Sequence, residues 1–211
     1  MTNVPVQQAH TDIFLKSFDS ASLIKGAKVI DIGCGDGYAS TRFILGGCSV
    51  LHALDPQSEN LSTQGIPASL EGMQKDSYRF FKSWGDLDIP EGGYDIVWHH
   101  HVVEHIEDCF GFLTKCHGLL APTGQMWLAC PNMAQHSVYS PGHIHNFQAA
   151  QMVEVLRRCC FAVGDISIWV LKGQLRIRVP KQGNYNYPTV MQQSLEKTGR
   201  CPSDLLTKVN W

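Results

Sequence analysis

The stretch Val29-Ile30-Asp31-Ile32-Gly33-Cys34-Gly35-Asp36-Gly37 restricts what this chain can become more than any other. An apolar, β-branched run breaks into a turn with glycine at every second position, and a helix opens behind it. Glycine there permits positive φ and lets a ligand approach bare backbone. The first turn of the helix adds N–H donors that have no partner within the helix. Strand, turn and helix in that order begin a βα unit, so the expected class is α/β.

The rest of the chain keeps that rhythm. Short β-branched runs alternate with amphipathic stretches, which predicts βα units and a mostly parallel sheet covered by helices on both faces. Strands are expected at Lys28 to Asp31, Ser49 to Leu54, Tyr78 to Lys82, Asp95 to Trp98, Gln125 to Cys130, Asp165 to Val170 and Leu175 to Val179. Cys109, Leu113, Cys116 and Leu120 form one helical stripe; Ala149, Met152, Val153, Leu156 and Cys160 form another. Only Leu171 to Gln174 separates the last two strands, too short for a helical crossover, so they must pair as an antiparallel hairpin. The 211 residues read as a single domain: a cap segment over residues 1–25, a Rossmann-like core over 26–180 and a tail over 181–211. Ligands bind beyond the carboxyl ends of parallel strands, so the segments outside the core are natural pocket walls.

Two details separate the glycine turn from Gly-x-Gly-x-x-Gly. The third glycine comes one residue early, and Asp31 stands before the first, where an ammonium group would want it and a pyrophosphate would not. A second acid, Asp55, ends the run Leu51-His52-Ala53-Leu54 and lies 24 residues after Asp31, near the roughly 20-residue offset of a ribose-binding carboxylate. A third piece is Lys82-Ser83-Trp84-Gly85-Asp86-Leu87, followed by Pro90-Glu91-Gly92-Gly93-Tyr94-Asp95. From Val29 to about Phe161 these features resemble the class I S-adenosylmethionine-dependent methyltransferases, particularly the group containing the ubiquinone-biosynthesis O-methyltransferases. Val103-Glu104-His105-Ile106, Leu120-Ala121-Pro122-Thr123-Gly124, Cys130-Pro131-Asn132 and His143-Ile144-His145-Asn146-Phe147 continue the likeness in order. The resemblance implies that Asp31, Gly33 and Gly35 hold the methionine part of the donor, Asp55 the ribose, and Ser83 and Trp84 border the adenine, with Asp86 in reserve. S-adenosylhomocysteine would be the product.

Methyl transfer from a sulfonium needs alignment, and a base if the nucleophile carries a proton. His99, His100 and His101 follow the fourth strand at the mouth where donor and acceptor would meet; His99 is grouped with the donor residues. Three readings of the remaining histidines stand together. His101 or His143 is a general base. Alternatively His101, Glu104, His105 and His143 bind a divalent metal, as the resemblance implies for relatives carrying Glu-x-x-Glu-His, with His101 in the place of a Glu and a nitrogen-richer set favouring zinc over magnesium. In the third, Glu104 and His105 cap the helix that begins there. No metal ligand is assigned. Aromatic walls for an acceptor are available in Trp84, Trp98, Phe147, Tyr185, Tyr187 and Trp211, though core or surface packing is the preferred reading for each of them.

Charge and cysteine content narrow the class further. With 17 Lys+Arg against 19 Asp+Glu, a net charge of -2 and no basic run, nothing attracts a phosphate backbone. Met1 to Thr11 does not read as a signal peptide, and no apolar run reaches the roughly 20 residues of a membrane span. The eight cysteines never form Cys-x-x-Cys and read as reduced core residues. The expectation is a cytoplasmic methyltransferase acting at oxygen on a small molecule, sugar or lipid precursor. The alternatives are metal-dependent 2′-O-methylation of RNA and a non-catalytic protein that keeps the donor pocket.

Overall fold

The computed structural model of the chain describes residues 6–17, 20–56, 77–132, 142–171 and 173–183. Its strands are β1 (Lys28–Ile32), β2 (Val50–Leu54), β3 (Tyr78–Phe81), β4 (Tyr94–His100), β5 (Leu120–Pro131), β6 (Ser167–Leu171) and β7 (Gln174–Pro180). They form one sheet in the order β3-β2-β1-β4-β5-β7-β6. The first five run parallel, and β7 is antiparallel to both β5 and β6. The hairpin expected from the short Leu171 to Gln174 connection is therefore present.

Helices α1 (Val6–Ser17), α2 (Ala21–Ile24), α3 (Tyr38–Leu45), α4 (Cys109–Leu119) and α5 (Ala149–Arg158) cover both faces. Strand residues alternate between two cores, as the pleat dictates. Under α4 and α5, Leu113, Cys116, Met152 and Leu156 pack with Ile30, Val97, Leu128 and Ile177. Under α1 and α3 the filling is aromatic: Phe14 and Phe43 meet the edge of Trp98 at 4.6 and 5.5 Å between ring centroids, and Trp127 lies beside them. Asp108 caps α4 by accepting the Gly111 N–H at 2.8 Å.

Several expectations need correction. Leu120 does not continue the α4 stripe but opens β5, because Ala121 to Gly124 bulge out where the register steps from Tyr94–Leu120 to Ile96–Gln125. Leu120-Ala121-Pro122-Thr123-Gly124 thus lies inside β5, with its last four residues as the bulge. Cys160 is exposed with φ +69°, two residues past the end of α5, and Cys159 takes the buried place. Asp165 lies in a 3-10 turn, Val163–Asp165, ahead of β6. His99 and His100 belong to β4 rather than following it. Tyr185, Tyr187, Trp211 and nearly all of the expected tail lie outside the described residues. Among the described residues no helix is long and apolar enough to cross a membrane.

Candidate active site

The carboxyl ends of β1 and β2 meet at the glycine turn. Gly33 donates its N–H to the Leu54 carbonyl at 2.7 Å, and Gly35 donates to Asp55 Oδ2 at 2.8 Å. Gly33 has φ +71°, and a Cβ there would lie 2.3 Å from Val102 Cγ2, so both backbone angle and space exclude a side chain. Gly37, also at positive φ, stands at the N-cap of α3, and Asp36 Oδ1 accepts the Tyr38 N–H at 3.0 Å. Asp31 lies buried behind the turn with Ser40 Oγ donating to its Oδ2 at 2.7 Å. Burial pushes its carboxyl up to about 7, against the opposing pull of that hydroxyl. A cation brought to the turn would let it ionise.

After β3, Ser83 Oγ accepts the Gly85 N–H and donates to Asp86 Oδ2 at 2.9 Å, closing a 3-10 turn over Trp84–Asp86. Trp84 stays 36% exposed, its ring edge-on to Phe112 at 6.2 Å. Phe112 also meets His99, in a T-shaped contact at 5.2 Å. His99 is wholly buried, and neither ring nitrogen has a hydrogen-bond partner among the described residues. Burial lowers it to about 3, so the ring is neutral and packs; only its backbone remains to border a ligand. Phe112, which the sequence reading passed over, joins these groups from the position i+3 to Cys109 on α4.

The histidine rim is built differently. His101 takes φ +57° just beyond β4, and its Nδ1 lies 2.7 Å from Glu104 Oε1. Its Nε2 lies 2.7 Å from Gln174 Nε2, whose nitrogen is also 2.5 Å from His10 Nδ1. Both ring nitrogens of His101 are therefore engaged. Neither Gln174 nor His10 was legible as a site residue. His100 packs flat on Trp98 and is held neutral, lowered to about 2 by burial.

Glu104 is not a helix cap, since Asp108 caps α4; it sits fully buried in the 3-10 turn Val103–His105. Its backbone carbonyl accepts N–H groups from Ile144 and His145 at 2.8 and 3.1 Å, which ties the loop after β5 to this turn. His143 is thereby brought to His105, ring to ring at 4.8 Å. Ligand atoms of Glu104, His105 and His143 lie within 4.8 Å of one another. The structure assembles three members of the four-residue set and turns the fourth, His101, toward Gln174. Glu104 Oε2 is buried without a hydrogen-bond partner among the described residues, and His105 Nδ1 binds the Gly142 carbonyl at 2.9 Å, which presents Nε2 as a lone pair. One carboxylate oxygen and two imidazoles suit a divalent transition metal.

This sheet order, with an antiparallel seventh strand and a glycine turn after β1, defines the Rossmann-like methyltransferase fold. The magnesium protoporphyrin IX methyltransferase of Synechocystis, solved with S-adenosylhomocysteine, superposes with TM-score 0.62 at 17% identity, covering 83% of each chain. The 1,6-didemethyltoxoflavin-N1-methyltransferase of Burkholderia thailandensis superposes with TM-score 0.64 at 20% identity, over 86% of this chain and 80% of that one. Residues 30–126 match the sequence model of a family described as a methyltransferase domain. The ubiquinone biosynthesis O-methyltransferase of Rhizobium johnstonii is 34% identical over 119 residues, 56% of this chain and 47% of its own length. The chain thus spans about half the length of the curated relatives it matches.

Proposed function

We propose that the chain is an S-adenosylmethionine-dependent methyltransferase acting at oxygen on a small molecule, sugar or lipid precursor. One observation carries the reading: two carboxylates from adjacent strand ends, Asp31 and Asp55, flank a glycine turn whose backbone is kept bare. That is a site for a ligand with a cationic amine at one end and a diol further along. The oxygen preference rests on relatives named O-methyltransferases. A net charge of -2 disfavours RNA, and the free, largely buried thiols suit a cytoplasmic setting.

S-adenosylmethionine, when bound, supplies a methyl carbon already activated by its sulfonium. Asp31 would hold the ammonium, ionising as it does so; Asp55 would accept the ribose hydroxyls, and Ser83 and Trp84 would border the adenine. His143 would take the proton that the acceptor hydroxyl loses as its oxygen forms the new bond. His101 cannot serve while its nitrogens are held by Glu104 and Gln174. The test is calorimetric titration of the full chain with S-adenosylhomocysteine and, separately, NADH. Binding of the thioether alone supports the proposal; binding of neither overturns it.

The cluster at Glu104 favours a second reading, in which Glu104, His105 and His143 hold a divalent metal that would polarise the acceptor oxygen. Zinc retention after dialysis, lost in Glu104→Gln, would support it.

A further inference from the structure

We infer that Gln174 is a positioning residue that orients Glu104 through His101 and fastens helix α1 to the same network through His10. The argument begins with Arg176, a pure donor buried in the sheet. Its Nη2 lies 3.4 Å from Gln174 Oε1, so the amide oxygen must face the guanidinium and the amide nitrogen the two imidazoles. That nitrogen carries two hydrogens. One reaches His10 Nδ1 and the other His101 Nε2, so both ring atoms must offer lone pairs. The proton of neutral His101 is then on Nδ1, where it is donated to Glu104 Oε1.

The donors run in one direction, from Arg176 through Gln174 and His101 to Glu104. The chain of bonds occupies one carboxylate oxygen and leaves Oε2 for whatever the acceptor side holds. The second branch explains the place of α1. Elsewhere this helix grips the donor side: Gln8 Nε2 donates to Asp36 in the glycine turn at 3.1 Å, and Asp12 pairs with Arg42 of α3 at 3.0 Å. His10 is its link to the histidine rim. A single helix therefore touches the donor turn on one side and, through one amide, the orientation of Glu104 on the other.

Only the purpose of the network rests on the proposed methyl transfer, and the test reads the ligand-free chain, so its failure is distinct from a failed S-adenosylhomocysteine titration. Nitrogen-15 histidine spectra of the wild type should show His101 protonated at Nδ1 and His10 at Nε2. Gln174→Leu should shift the His101 Nε2 and His10 Nδ1 resonances and raise amide exchange in α1 roughly tenfold, the cost of about one buried hydrogen bond. His10→Ala should raise α1 exchange likewise, and His10→Asn, whose Oδ1 can replace the Nδ1 acceptor, should restore it. Unchanged α1 exchange in His10→Ala, or equal exchange in the Ala and Asn variants, overturns the inference. So does a wild-type spectrum with His101 protonated at Nε2.

Discussion

The donor turn and the histidine rim lie side by side at the carboxyl ends of the strands, yet they are made of different material. The turn is backbone: positive φ at Gly33 and Gly35, N–H groups aimed at a strand-end carbonyl and carboxylate, and two acids fixed by the ends of β1 and β2. The rim is side chain: His101, Glu104, His105 and His143 from two segments, oriented by Gln174 and His10 from two more. A site written in backbone depends on residues near in sequence. A site written in side chains depends on what the fold brings from afar.

The sharpest break of this contrast is Gly33→Val. Positive φ and the 2.3 Å approach to Val102 predict a stability loss of about 3 kcal/mol and loss of S-adenosylhomocysteine binding, read by denaturant melts and calorimetry. Next comes acid stability, where the buried imidazoles of β4 oppose the carboxyl behind the glycine turn. His99 and His100 have folded pKa values lowered to about 3 and about 2. Each contributes stability present above 6.5 that falls by about 1.4 kcal/mol per pH unit as pH drops below it. Asp31 has a raised folded value, about 7 against 3.8, so its contribution is present at low pH and disappears as pH rises from 3.8 to 7. Asp31→Asn should therefore steepen the acid loss below pH 6.5 by about 1.4 kcal/mol per unit; an unchanged slope would show that Asp31 titrates normally.

Binding gives smaller effects. Asp55→Ala should weaken S-adenosylhomocysteine by about tenfold to a hundredfold, the range of a charge-assisted hydrogen bond. An ammonium beside Asp31 favours the ionised form, so affinity should fall up to about tenfold per unit as pH drops below 7 and level off above it, with proton release from Asp31 visible as buffer-dependent heat. The smallest expected change is His101→Asn, which should leave thioether affinity within about twofold because the hydrogen bonds of that ring go to Glu104 and Gln174, and it is tied to the glycine turn only at a distance, through α1.

The same contrast explains what the sequence revealed. The seven strands, the hairpin and the glycine turn were legible because β-branched runs, a short connection and glycines at alternate positions act locally. His99 was expected to follow β4 because the strand's true end at His100 is not marked by any turn residue, and alternation along β4 turns its ring inward against Phe112. Gln174 carried no signal at all, being one of three polar residues in β7 beside Arg176 and Arg178. Its role exists only because β7 sits beside β5, with Gln174 opposite Pro131, and because α1 crosses nearby.

The reversal of β7 has one more consequence. In the parallel strands the mouth of the site receives whatever residues end a strand, after its pairing is already fixed. An antiparallel strand instead delivers its first residue there, straight out of the hairpin that begins after Leu171. Lengthening or shortening that hairpin would exchange the residue presented at the rim while β1, β2 and their turn stayed untouched. The last hairpin thus works as an adjustable input to the histidine rim, which can be varied without rebuilding the glycine turn.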